Sequence, residues 1–163
     1  YLGQLCTHWE TKADQFISLG CKVSKVRTGI VLSSKGGALP KMIFPINCYI
    51  GAALGSGKQF IPWIHIDDLC AIYTSLINEY IPSGIYNGVA PETITNNDLT
   101  SIIAEVLNKP LWLPNIPSCV LKIIFGEMSS ILTNGSRISS KKLIQSGFKF
   151  NYISINSAIY NLI

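Results

Sequence analysis

GSGKQFIPWIHIDDLCAIYTSLINEY, Gly55 to Tyr80, holds a glycine-rich turn, then an apolar run, then an amphipathic run. In the last part Leu69, Ile72, Tyr73, Leu76, Ile77 and Tyr80 recur at i, i+3, i+4, i+7, i+8 and i+11, which gathers them on one face of a helix. Asp67 stands where an N-cap is expected. Its carboxylate can accept from the first free backbone N–H groups, and Asp68 adds negative charge at the positive end of the helix dipole. Phe60 to Ile66 reads as a short buried strand, with Pro62 favouring a sheet edge or a strand start. The predicted unit is turn, strand, capped helix.

Upstream, Cys21 to Leu32 (CKVSKVRTGIVL) carries the β-branched and apolar content of a strand in a sheet interior. Tyr1 to Leu19 before it has helical periodicity, with Gly20 as a C-terminal stop able to take positive φ. Helix followed by strand is half of a βαβ unit, and its first strand is expected before Tyr1. Between the two strands Gly36 and Gly37 mark a turn, and Ala38 to Met42 opens a short helix that Pro45 is expected to interrupt or kink. Asn47 to Lys58 is glycine-rich and reads as a loop.

Downstream, Ile85 to Val89 and Leu111 to Leu113 are further strand candidates. A second capped helix is predicted from Thr95 or Asn96 to about Leu107, with Leu99, Ile102, Ile103, Val106 and Leu107 on its apolar face. Leu107 to Ser118 contains three prolines and is the best domain boundary. Short helices are expected at Cys119 to Glu127, Ser139 to Ser146 and Ile155 to Ile163, with Phe148 and Phe150 as core anchors.

The chain has 163 residues, 48% hydrophobic and only 13% charged, enough for one substantial core. The net charge of +4 is dispersed, which gives no basic patch for nucleic acid. Five widely spaced cysteines without a CxxC pair suggest neither zinc nor a disulfide framework. Buried free thiols in a cytoplasmic protein are the expectation. The apolar runs are far shorter than the roughly 20 residues of a membrane span, and no metal cluster is apparent.

GSGKQFIPWIHIDDL is similar to a segment of the nucleoside-diphosphate-sugar epimerase-like proteins, which are extended short-chain dehydrogenase/reductases. WETKA at Trp9 to Ala13, VRTGIVLSSKGGALPKM at Val26 to Met42, and FGEMSSILTNGSRISSKKLIQSGFKF at Phe125 to Phe150 match in the same order. The resemblance implies an α/β fold: the C-terminal part of a Rossmann-like doubly wound parallel sheet over residues 1–110, and a small, mainly helical domain over 116–163. It implies NAD or NADP as cofactor, with a small-molecule substrate, nucleotide-linked compounds among the candidates. The GxGxxG turn of a dinucleotide-binding domain does not occur in the chain, and GSG at Gly55 lacks the third glycine. The pyrophosphate cradle is therefore expected in polypeptide upstream of Tyr1.

By similarity Thr28 and Gly29 lie where backbone meets the nicotinamide carboxamide, with Arg27 and Val31 counted beside them as cofactor-binding. Gly29 could equally relieve crowding inside a strand. Arg27, a guanidinium in an apolar strand, either holds an acceptor of the protein or reaches cofactor or substrate. Lys41, Trp63 and His65 are the substrate-pocket candidates. His65 beside Asp67 could act as an acid/base pair or serve as a core histidine beside a helix cap, and Trp63 could stack on a ligand or fill the core. Catalytic residues are not assigned, because the Tyr-x-x-x-Lys pair of classical members is absent: the residue four after Tyr1 is Leu5. An NAD(P)-dependent oxidoreductase or epimerase-like enzyme and a non-catalytic NAD(P)-binding sensor or partner-binding protein both remain open.

Overall fold

The computed structural model describes residues 2–126 and 135–163. Helix α1 spans Leu2–Asp14 and passes into a 3-10 turn over Gln15–Leu19, which Gly20 ends at φ 80°. Strands β1 (Lys25–Thr28) and β2 (Ile30–Leu32) follow, then α2 (Ala38–Asn47), β3 (Phe60–Ile61), β4 (Trp63–His65) and α3 (Ile66–Ile77). Next come β5 (Ile85–Gly88), β6 (Ile94–Thr95), α4 (Asn96–Val106), α5 (Ser118–Phe125), α6 (Lys141–Gln145) and α7 (Ile155–Leu162). Glu127, the expected end of the helix at α5, lies outside the described residues, as do residues 128–134 of the matching stretch.

The run Cys21 to Leu32 is two short strands. β1 pairs in parallel with β5, Lys25 opposite Ile85, while β2 pairs in parallel with β4, Ile30 opposite Trp63. The exchange of partners occurs at Gly29, whose N–H donates to Gly88 (3.0 Å) while the next N–H, of Ile30, turns to Pro62 (2.7 Å). Successive amides of an extended chain point to opposite sides, so one strand can serve two neighbours in turn. The interior position expected for the whole run holds only for its end: Leu32 is buried, whereas Arg27 and Thr28 are exposed. Pro62 likewise divides the expected Phe60 to Ile66 strand, and β3 pairs antiparallel with β6 instead.

β4 is buried at all three positions because it separates two cores. Leu32 and Trp63 pack with Leu39, Ile46, Leu99, Ile103 and Ile159 on one side. Val31 and Ile64 pack with Ile72, Tyr86, Leu143 and Phe148 on the other. This is the period-2 alternation of a strand covered on both faces. Phe148 is buried and meets the half-buried Phe150 edge-on at 5.0 Å, so both anchors take part in the core as expected.

Four expectations are corrected. Leu111 to Leu113 forms no strand; Trp112 instead donates its indole N–H to the carbonyl of Tyr49. Helix α2 is not interrupted at Pro45 but runs through it and ends two residues later, at Asn47; proline has no N–H to give the Lys41 carbonyl. On α3, Ile72 is buried but Tyr73 and Ile77 are exposed, and Tyr80 lies beyond the helix. All five cysteines are free, as expected, but exposed. Among the described residues no helix is long and apolar enough to cross a membrane.

Candidate functional site

The cofactor-side candidates follow one another along β1 and β2, and two of the pocket candidates lie on or beside the adjoining β4. Gly29 is required by the protein itself: a Cβ there would stand 2.5 Å from the Pro62 carbonyl oxygen and 2.8 Å from Val89. Val31 is half-buried against the second core. Thr28 is exposed on the rim beside Arg27. Arg27 has its acceptor within the protein, in a bidentate pair: Nε donates to Glu10 Oε1 at 2.7 Å and a terminal N–H donates to Glu10 Oε2 at 2.8 Å. The pair holds the Glu10 carboxyl below its usual range, and the same hydrogen bond raises Arg27. A second pair, Lys25 to Asp14, also ties β1 to the first helix.

Trp63 and His65 are each about 1% exposed. The indole N–H of Trp63 donates to the Glu92 carbonyl at 3.2 Å. His65, rather than Asp67, is the N-cap of α3: its Nδ1 accepts the backbone N–H of Asp67 at 3.1 Å. An imidazole nitrogen with a lone pair can fill the place usually taken by a side-chain oxygen. Since a backbone N–H only donates, Nδ1 carries no proton, and the 3.7 Å approach of Asp67 Oδ2 to it is not an ion pair. Asp67 itself is exposed. Lys41 is exposed on α2, apart in sequence and burial from Trp63 and His65.

Sequence reasoning missed the residues that organise this junction. Asp68 is fully buried, and its two oxygens accept the N–H groups of Asn151 (2.8 Å) and Tyr152 (2.9 Å). Glu92 accepts the N–H of Ile155 at 2.5 Å. The partners lie 83, 84 and 63 residues away, beyond the reach of any local pattern. The only local signal was the DD pair, which is also an ordinary first-turn composition.

The GSG turn does not fit a phosphate. The space a Cβ would occupy at Gly57 is filled by the Asn97 side chain, and the Gly57 carbonyl accepts the Asn97 N–H at 2.9 Å. Asn96 accepts the Leu54 N–H, while Asn115 donates to the Ser56 carbonyl. The turn is thus fastened to the start of α4, where Thr95 and Asp98 form a capping box. Two shallow clefts, of about 300 and 280 Å³, lie along α1 and between Val26 and α3; neither is lined by Lys41, Trp63 or His65. No group of three or more potential metal ligands occurs among the described residues.

Residues 116–162 match a domain of unknown function, DUF1731. An epimerase family protein of Staphylococcus aureus (strain MRSA252) is 37% identical over 165 residues, covering 100% of this chain and 54% of its own length. The chain therefore spans about half the length of the curated relatives it matches. A human epimerase family protein, solved with NADPH, is 32% identical with a TM-score of 0.78, over 84% of this chain and 46% of that one. A nucleoside-diphosphate sugar epimerase from Corynebacterium glutamicum is 28% identical with a TM-score of 0.75, over 99% of this chain and 30% of that one. These likenesses give the α/β architecture as part of a Rossmann-like epimerase fold. Parallel ladders, epimerase relatives and the DUF1731 match agree, and the chain is similar to the C-terminal portion of the extended short-chain dehydrogenase/reductases of the NAD-dependent epimerase/dehydratase-like kind.

Proposed function

We propose that the protein carrying this chain is an NAD(P)-dependent oxidoreductase or epimerase-like protein acting on a small, nucleotide-linked substrate in the cytoplasm. The observation that carries the reading is the likeness to the NADPH-bound human relative, at 32% identity and a TM-score of 0.78. In this reading residues 1–110 belong to the cofactor domain and 116–163 form a small C-terminal domain that shares its cores. The exposed Thr28, with Gly29, Arg27 and Val31, flanks the nicotinamide end of the cofactor. Lys41, Trp63 and His65 belong to the substrate side, the two buried residues shaping its wall from behind. The pyrophosphate is held by other polypeptide, since the GSG turn is already filled. A bound nicotinamide would supply hydride chemistry; the residues here orient and enclose. Five unpaired thiols suit a reducing compartment.

A non-catalytic NAD(P)-binding sensor or partner-binding protein is the second reading. It is favoured by His65, whose two ring nitrogens are both engaged within the protein. The test uses a polypeptide carrying this chain at the length of its relatives. NADH and NADPH binding are measured by fluorescence, then consumption is followed across aldehydes, ketones and nucleotide sugars. Turnover of a nucleotide sugar supports the enzyme, binding without turnover supports the sensor, and failure to bind either dinucleotide overturns both.

A further inference from the structure

The last turns of the chain reach back to the β4–α3 junction and close around one side chain. The His65 ring stacks on Tyr152 with centroids 3.7 Å apart and planes 21° from parallel. Its Nε2 lies 3.1 Å from Asn161 Oδ1. Its Nδ1 is the acceptor for the Asp67 amide. A neutral imidazole has one proton and two possible places for it. Because Nδ1 must present a lone pair to the amide, the proton belongs on Nε2, where Asn161 offers an acceptor. Stack and acceptor come from one segment, which Asp68 and Glu92 grip by three backbone N–H groups between Asn151 and Ile155.

We propose that Tyr152 and Asn161 are positioning residues, and that one role of the segment matching the domain of unknown function is to hold His65 in its Nε2–H tautomer. Tyr152 sets the plane of the ring and Asn161 sets its proton. The consequence travels through the ring: Nδ1 stays available to cap α3, and the Trp63–His65 strand and the first turn of α3 are held in one relative position. Withdrawing the segment would leave the imidazole free to take either tautomer, and the cap would be present for only part of the time. This arrangement holds whether or not the chain serves a catalyst.

The test reads tautomers directly. Long-range proton–nitrogen NMR of the chain, at about pH 9 where free imidazole is neutral, distinguishes a protonated from a lone-pair nitrogen. The chain has two histidines, and a His8→Gln variant assigns the signals. The wild type is expected to show one Nε2–H species for His65. Asn161 is exposed, and Asn161→Leu is expected to give a mixture of tautomers and to speed exchange of the Asp67 amide by about fivefold, the size of a lost cap. Asn161→Asp retains an acceptor and is expected to restore the single species; Tyr152→Phe retains the stack and is expected to change nothing. Should the leucine variant fail to fold, Asn161→Ala is read in the same way. An Nδ1–H or mixed wild-type spectrum overturns the proposal. So does an Asn161→Leu protein whose tautomer and Asp67 exchange match the wild type, even if its stability falls.

Discussion

Asp68 and Glu10 are both carboxylates that hold a neighbouring segment with two hydrogen bonds, yet they do so in opposite surroundings. Asp68 is fully buried and binds two backbone N–H groups of the C-terminal segment. Glu10 binds the two arms of a guanidinium on the outer face, where the Arg27 side chain is 59% exposed. A buried charge stripped of water depends entirely on its partners, whereas an exposed pair exchanges one set of partners for water. The inner junction therefore defines the fold, and the outer face decorates it. Substitutions in the two regions should separate accordingly.

The largest separation is expected between two tryptophans. Trp63→Ala removes a buried ring from the first core and is expected to cost about 3–5 kcal/mol in urea unfolding. Trp9, 67% exposed on α1, is expected to change stability by no more than about 0.5 kcal/mol when replaced by alanine. Equal effects would mean that α1 packs in solution against something other than the described residues. Next comes Asp68→Asn, nearly the same shape but with one acceptor replaced by a donor. One of the two N–H groups at Asn151 and Tyr152 is then left facing an NH₂ group, and a loss of about 2–3 kcal/mol is expected. A loss no greater than that of a surface change would show that the C-terminal segment is held by its apolar residues alone.

A smaller effect is expected at the start of α4. Asp98 accepts the hydroxyl and backbone N–H of Thr95, and these hold its carboxyl below the usual range against the opposing effect of desolvation. A lowered native value means that the unfolded chain takes up the proton first. The contribution is therefore complete above the ordinary aspartate range and fades as pH falls through the lowered value. Asp98→Ala is expected to cost about 1 kcal/mol at neutral pH and to flatten the acid limb of the stability profile. An acid limb identical to that of the wild type would sink this assignment.

What could be read from the sequence were features that repeat within a turn or two. The 3.6-residue spacing located the helices, Gly20 marked a stop, and Thr95 marked a start, because the physics of each is complete within a few residues. The partner exchange at Gly29 was not legible, since it depends on Gly88 and Pro62, which lie far along the chain. β6 is two residues long and has no periodicity to detect. His65 escaped as a cap because the usual capping residues carry oxygens, and the more familiar Asp67 stood two places on. At the site, a carboxylate of the protein was one of the open partners for Arg27, but its identity required a contact 17 residues upstream.

The smallest expected effect is at Arg27, and it sharpens the contrast most. The guanidinium meets Glu10 with good bidentate geometry at 2.7 and 2.8 Å, which alone would suggest a strong bond. Water reaches the pair, however, and competes for the same donors and acceptors, so geometry does not become stability. Arg27→Ala is expected to leave the urea midpoint where it was. The Glu10 carboxyl, read by carbon NMR, is expected to return upward to its ordinary range. The sign follows from the lowered value in the native chain: the pair exists above the ordinary glutamate range and is lost as pH falls through the lowered one. A midpoint that drops instead would place Arg27 with the inner junction. In the longer protein, weaker dinucleotide binding in Arg27→Ala but not in Glu10→Gln would mean that the guanidinium leaves Glu10 for the ligand, whereas equal loss in both would mean that the pair serves to hold α1 against β1.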